Sequence, residues 1–550
     1  MNKTKKVINT IYKKINIPNI SLIELFRDST KKNKDKNCTF FKGKFKSYKE
    51  VEEEVNRLSN SFINMGIKKG DRIAVYLPNC PQFITTFFAA QSIGAIFTSL
   101  NPLYTVKEIV DRLKDCNPKV IVTLQLFTNK IRDVQKEINV EKIVITSISE
   151  ELPFVKKYLY KLIKMFNQTK IDNELLYIDL IEKGENKKVD IKISPKEDVA
   201  ILQYTGGTTG SPKGAMLTHY NLLSQAVIIS YWKDYLSKTP KDQYKVGGIL
   251  PFSHIFGLTS SFIWPIYEGA NLFLVPDPRK LVEVMKIIHN HNLHILYCVP
   301  IFFKKFACHE KLNKYDLSSL HLAVSGGESL PNETVQIFEE KTKCLLIEGY
   351  GLTEASPVTH INPPNKTQRK IGSIGVTFPE TRAKIVDPVS GKVINDIEKS
   401  GELWINGPGV MKGYWNNKAE TDIALKNGWL RTGDIVKKDQ NGYYQVVDRL
   451  KDVIIVSGYN VWPSEVETVL LTHHNICEAA VVNHQTENGS VVKAFLVKKS
   501  GCPEVSLEEL RSFCRASLAP YKIPKIIEYR DKLPRSAVGK VIRRKLRENK

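Results

Sequence analysis

Between Gln203 and Asn221 the chain reads QYTGGTTGSPKGAMLTHYN, a stretch with four glycines, five Ser/Thr residues and one lysine. Gly206, Gly207, Gly210 and Gly214 let backbone amides approach a ligand closely. Thr205, Thr208, Thr209 and Ser211 add hydroxyl donors, and Lys213 adds a fixed positive charge. This is the inventory for a polyphosphate. It is not a Walker A loop, because Gly210 is followed by Ser-Pro-Lys-Gly, and no G-x-G-x-x-G fingerprint accompanies it. Alone, such a loop could equally be a plain turn.

Four other stretches carry chemistry that matches it. GYGLTE (Gly349–Glu354) offers a hydroxyl and a carboxylate after a predicted buried strand. RTGD (Arg431–Asp434) ends in an acid able to accept from a ribose diol. DRLKDVIIVSGYNVWPSEVE (Asp448–Glu467) sets charges before a strand and a glycine turn. LPRSAVGKVIRRKLR (Leu533–Arg547) puts Lys540 on a glycine-containing loop ahead of a basic helix. Each has an ordinary reading as a solvated acid, a hinge or a surface helix. Their joint presence is what points to a function.

The elements that must position these groups alternate regularly. RIAVYL reads as a buried strand, PQFITTFFAAQSIGA as a helix with Pro81 in its first turn, and IFTSL as the next strand. TVKEIVDRLKDCNP begins with Thr105 and Glu108 at capping-box spacing and stops at Pro118, before the strand KVIVTL. The rhythm returns in LVEVMKIIHNHN to LHILYCVP and in ETVQIFEEKTK to CLLIEGYG. Such alternation predicts parallel α/β sheets with ligands at the carboxyl ends of the strands. After about residue 380 the texture turns to short strands and Gly/Asn turns, and a last helix-strand segment follows. The expected fold class is therefore α/β. A large N-terminal domain of parallel-sheet subdomains with a small β subdomain (1–449) precedes a small α+β C-terminal domain (450–550).

At 550 residues the chain exceeds what one core usually supports. Its nine cysteines are scattered without a C-x-x-C pair, which argues against a disulfide framework or zinc site and for a cytoplasmic setting. Two long uncharged runs, Phe83–Leu100 and Val246–Tyr267, are broken by polar residues or proline and make poor membrane spans. The net charge of +23 suits either an anionic partner or a generally Lys-rich composition. No nucleic-acid fold signature is present. Leu152–Asn167, LPFVKKYLYKLIKMFN, has four lysines among aromatic and aliphatic residues. It reads as an interfacial helix for anionic membrane or as a surface helix packed on its own domain. The spacing of His289, His291 and His294 does not put three imidazoles on one helical face.

In this order and spacing the motifs resemble the adenylate-forming superfamily of acyl-CoA synthetases, luciferases and nonribosomal adenylation domains. YTGGTTGSPKGAMLTH with NPLYT (Asn101–Thr105), LPFSHIFGLT and KDVIIVSGYNVWPSEVE is most similar to bacterial long-chain fatty acid–CoA ligases, over roughly residues 20–548. The resemblance implies a two-step reaction using ATP, Mg²⁺ and coenzyme A. A fatty acid carboxylate takes the adenylyl group with loss of pyrophosphate, and the CoA thiol then displaces AMP. It assigns the β- and γ-phosphates to the loop Thr205, Gly206, Gly207, Thr208, Thr209, Gly210 and Lys213. Thr353 and Glu354 fall at the α-phosphate, with Glu354 as the Mg²⁺ ligand. Gly327, Glu328 and Tyr350 flank adenine, and Asp434 and Arg449 bind ribose. Lys540 bridges carboxylate and α-phosphate, Lys451 is the hinge of a mobile C-terminal domain, and Ser457, Gly458 and Tyr459 lie along the thiol's path. His254, Phe256, Ser325 and Cys298–Pro300 match the acyl tunnel, where a cationic His254 would attract the carboxylate and a neutral one would not. Leu258 stands near where some long-chain members place a tryptophan gate. The alternative is the same chemistry on another acid or acceptor, as in an aryl-CoA ligase or a fatty acyl-AMP ligase. Expected partners are fatty acid, ATP and CoA, with no nucleic acid. Peripheral contact with the inner face of the cell membrane through 152–167, and a homodimer, are further expectations.

Overall fold

The computed structural model describes residues 14–153, 174–205, 212–233, 240, 242–456, 459–487, 489–535 and 541–547. The chain divides into two compact units, Met1–Arg382 with Asn406–Leu430, and Ala383–Ile405 with Arg431–Lys550.

The first unit is built on two mixed sheets. One runs Gly413–Tyr414, Lys213–Thr218, Val199–Thr205, Ile96–Ser99, Arg72–Tyr76, Val120–Leu124, Lys142–Thr146, Glu174–Leu176. It is parallel from Val199–Thr205 to Glu174–Leu176 and antiparallel at the Lys213–Thr218 edge. The other has nine strands, with Leu345–Gly351, Leu322–Ser325, Ile295–Cys298, Lys245–Gly248 and Asn271–Leu274 parallel at its centre. The alternating strands and helices expected from the sequence are these βαβ units. Helix Val106–Cys116 has the full Thr105–Glu108 capping box, and Asn117 ends it in the left-handed region at φ 43°. Pro118 then blocks continuation.

Helix Pro81–Ser92 is buried on every side, its polar Gln82, Thr85, Thr86, Gln91 and Ser92 included. Its Phe83 meets Phe97 of the first sheet at 5.4 Å and Phe252, beyond strand Lys245–Gly248 of the second, at 5.5 Å. Polar side chains complete this seam. Asn79 donates to the Gly248 and Leu250 carbonyls and accepts from the Phe252 amide. Gln203 donates to the Ser253 carbonyl at 2.8 Å. Buried amides satisfied in this way fix register as well as distance. The run Val246–Tyr267 forms strand Lys245–Gly248 and a buried helical stretch from Ile255 to Tyr267 whose middle, Thr259–Ile263, is π-helical. Among the described residues no helix is long and apolar enough to cross a membrane.

In the second unit residues 434–438 of strand Trp429–Lys438 pair antiparallel with Tyr444–Arg449. Farther along, the sheet Ile476–Thr486, Gly489–Lys498, Ile526–Tyr529 shares a core with helices Pro463–Leu471 and Leu507–Arg515, through Val466, Leu470, Val481, Leu496 and Leu510. The expected boundary at 449/450 falls at the 3₁₀ turn Leu450–Asp452, inside this unit.

Candidate active site

In the first unit the candidate residues gather where strands end. Thr205 closes strand Val199–Thr205 directly opposite Lys213, the first residue of Lys213–Thr218. The glycine-rich stretch is therefore the connection of an antiparallel pair, with its two ends held one strand spacing apart. Gly206, Gly207, Thr208, Thr209, Gly210 and Ser211 lie outside the described residues. Lys213 sends its ammonium to Glu420 Oε2 at 2.6 Å and lies 5.6 Å from the centre of the Tyr414 ring.

Strand Leu345–Gly351 leads into the short 3₁₀ helix Thr353–Ala355, which carries Thr353 and Glu354. Tyr414 donates its phenol hydrogen to Glu354 Oε1 at 2.7 Å. Burial first, and then the Glu354 charge, push the Tyr414 phenol well up, so it remains a donor. One carboxylate oxygen is thus occupied, and Oε2 accepts no hydrogen bond from the described residues. A single carboxylate with an available oxygen fits Mg²⁺, which commonly takes one or two protein carboxylates and completes its shell with water and phosphate oxygens.

The strands Ile295–Cys298 and Leu322–Ser325 end in register, Cys298 beside Ser325, and Ser325 stands beside Glu348 of Leu345–Gly351, which runs on to Gly351. Beyond Ser325, Gly327 adopts φ +89°, and Glu328 is half-buried. A side chain on Gly326 would stand 3.0 Å from the Phe256 ring and 3.3 Å from the Gly349 carbonyl oxygen. Glycine there lets the His254–Phe256 segment close on the GYG strand. Tyr350 faces His360 across the neighbouring strand, rings 5.9 Å apart. His254 accepts the Phe256 amide at Nδ1, 3.3 Å away. This contact turns the Nδ1 edge of the ring toward the backbone of its own turn. Leu258 is fully buried.

In the second unit Asp434 and Arg449 are register partners, with Arg449 Nε 3.2 Å from Asp434 Oδ1. Lys451 lies in the 3₁₀ turn Leu450–Asp452 and Tyr459 opens strand Tyr459–Val461. Ser457, Gly458 and Lys540 lie outside the described residues. Ahead of Arg543, Arg535 and Val541 form an antiparallel β-bridge. Arg543 reaches Glu467 at 2.7 Å and Asp452 at 3.4 Å.

Sequence reasoning passed over Tyr414, Glu420 and Glu348. Tyr414 and Glu420 come from GYWNNKAET, a segment without periodicity, and strand pairing of Tyr414 with Ala215 is what carries them to Lys213. Glu348 was legible only as part of a strand. It is buried, which pushes its carboxyl up to about 8, while the Leu330 amide pulls the other way.

The chain that carries this cluster is similar to known proteins over nearly its whole length. Residues 26–415 match the family model of the AMP-binding enzyme, and residues 465–540 match that of the AMP-binding enzyme C-terminal domain. The chain belongs to the AMP-binding enzyme family. Among its relatives in that family, a long-chain-fatty-acid–CoA ligase of Bacillus subtilis (strain 168) is 39% identical over 548 residues, 98% of this chain and 96% of that one. A long-chain-fatty-acid–CoA ligase of Escherichia coli O157:H7 is 35% identical over 96% of this chain and 94% of its own. Among solved structures, ATP-bound MatB from Rhodopseudomonas palustris superposes with a TM-score of 0.82 at 26% identity, covering 96% of this chain and 99% of that one. The α/β fold expected from the sequence is that of these enzymes.

Proposed function

We infer that this AMP-binding enzyme is an ATP-dependent long-chain fatty acid–CoA ligase. The observation that carries the reading is the joining of Lys213, at the mouth of the glycine-rich connection, to Glu354 through Tyr414. A cation and a cation-binding carboxylate one side chain apart suit a triphosphate and its metal. The near full-length likeness to fatty acid–CoA ligases supports the choice of acid.

In the first step a carboxylate oxygen bonds to the α-phosphorus of ATP and the bond to the β-phosphate oxygen breaks, releasing pyrophosphate. In the second the CoA sulfur bonds to the acyl carbon, its proton leaves to solvent, and AMP departs with the acyl–oxygen bond electrons. Both steps bring anions together, so placed positive charge and dipoles should dominate. Lys213, Thr205 and the intervening amides are assigned to the β- and γ-phosphates, and Thr353 to the α-phosphate. Glu354 is assigned to Mg²⁺, which when bound neutralises phosphate charge. Gly327, Glu328 and Tyr350 take adenine. His254 is assigned to orienting the fatty acid carboxylate. In the second unit Asp434 and Arg449 take ribose, Lys540 serves the first step, and Ser457, Gly458 and Tyr459 serve the second. Lys451, beside the junction at 449/450, is the hinge between them. The segment 152–167 is assigned to peripheral contact with anionic membrane.

ATP–pyrophosphate exchange over a series of short- to long-chain fatty acids and aryl acids tests the reading. Exchange is expected with long-chain acids, followed by thioester formation when CoA is added. Exchange with aryl acids alone, or exchange without a CoA thioester, would replace it with an aryl-CoA or acyl-AMP ligase.

A further inference from the structure

Lys213 is assigned to phosphate, yet its ammonium also meets an anion of the chain itself, Glu420 Oε2 at 2.6 Å. The arrangement is built rather than incidental. Tyr414 and Gly413 pair with Ala215 and Met216, two and three residues beyond Lys213. The Tyr414 amide donates to Thr421 Oγ1 at 2.8 Å, Thr421 donates to the Asn417 carbonyl, and Asn417 Oδ1 accepts the Glu420 amide. Glu420 is therefore fixed to the same sheet edge as the lysine it meets. Both side chains are largely covered, at 17% and 34% exposure, so solvent screens them less than a surface pair. On the other side Tyr414 binds Glu354, which leaves the phenol no freedom to follow Glu420.

A phosphate oxygen that takes Lys213 must displace Glu420 or share one ammonium with a second anion, and the two anions repel. We propose that Glu420 is a positioning residue that holds Lys213 over the Tyr414 ring until the β- and γ-phosphates displace it. This rests on the assignment of Lys213 to phosphate. Glu420 thereby tunes affinity for the triphosphate and not for AMP, which lacks the phosphates concerned.

The test is calorimetric binding of α,β-methylene-ATP and of AMP to the full chain, without fatty acid, for wild type, Glu420→Gln, Lys213→Ala and the double variant. Removing a competing ion pair should tighten the triphosphate analogue by about fivefold in Glu420→Gln. AMP affinity should stay unchanged. In the Lys213→Ala background Glu420→Gln should have no effect, because the carboxylate no longer competes for anything. Glu420→Ala must repeat the Gln result, which excludes a property of the amide. Unchanged or weaker binding of the analogue by Glu420→Gln, with Lys213→Ala still weakened, overturns the proposal alone. Tightening that persists without Lys213, or that extends equally to AMP, overturns it as a general charge effect. If Lys213→Ala binds the analogue as tightly as wild type, the phosphate assignment itself falls.

Discussion

Asp434 and Arg449 stand opposite each other on adjacent antiparallel strands, the guanidinium Nε 3.2 Å from the carboxylate Oδ1. The acid is nearly covered and the arginine reaches solvent. The pair presents an acceptor and a donor side by side, which is what a ribose diol requires.

Asp434→Asn should therefore weaken ATP and AMP alike while leaving the fatty acid KM unchanged. A hydrogen bond to a charged group is worth about 1.5–3 kcal/mol, so KM for ATP should rise by about 10- to 100-fold. Steady-state exchange kinetics decide it. An unaltered ATP KM would remove the ribose assignment.

Lys540 and Lys451 should separate the two half-reactions. Lys540→Ala is expected to cost pyrophosphate exchange about 10²- to 10³-fold, as loss of one transition-state donor does, and largely to spare CoA attack on supplied acyl-adenylate. Lys451→Pro fixes φ at the 3₁₀ turn Leu450–Asp452 and should harm thioester formation more than exchange. Equal losses in both half-reactions for either variant would count against a hinge that presents different groups to each step.

Glu348 makes stability depend on pH in a definite direction. Burial raises its carboxyl from the ordinary 4.5 to about 8 in the folded chain. Below about 4.5 both folded and unfolded states hold the proton, and between 4.5 and 8 only the folded state does. Its contribution is therefore complete at low pH and is lost as pH rises toward 8, amounting to at most a few kcal/mol at about 1.4 kcal/mol per unit. Glu348→Gln, which keeps a neutral polar group in the same place, should flatten that decline in urea unfolding midpoints between pH 5 and 8. Parallel profiles for the two proteins would mean that Glu348 titrates normally.

The lysines of 152–167 should govern attachment to anionic vesicles. This segment falls almost wholly outside the described residues. Just before it, Glu151 is buried and paired with Lys46 at 2.6 Å, so its approach is anchored in the protein. Each lysine near an anionic surface is worth about 1 kcal/mol, and the attraction fades as the Debye length falls from about 10 Å at 0.1 M salt to about 3 Å at 1 M. Replacing Lys156, Lys157, Lys161 and Lys164 by Gln should reduce co-sedimentation without lowering activity on detergent-dispersed substrate. A wild-type chain that stays in the supernatant at low salt would make the segment a packed surface helix.

Alternation of apolar strands with capped helices made the α/β class legible from sequence, because periodicity and caps are local properties. The Thr105–Glu108 box is such a case, its two partners three residues apart and both present in the structure. The order of the glycine-rich, GYGLTE, RTGD and C-terminal lysine motifs was equally local, and it was enough to suggest nucleotide chemistry. Which side chains touch was not. Lys213 and Glu420 are separated by 207 residues and Tyr414 and Glu354 by 60, and no spacing along the chain encodes either contact. Pairing of Gly413–Tyr414 with Met216–Ala215 creates both, since a strand partner is chosen by sheet register and burial. The same holds for charge state. His254 could be read as cation or neutral from its type alone, and the approach of the Phe256 amide to its Nδ1, 3.3 Å away, is set by the turn and not by its type. Glu348 looked like any acid in a strand until neighbouring strands removed its water, which is a property of packing and not of sequence.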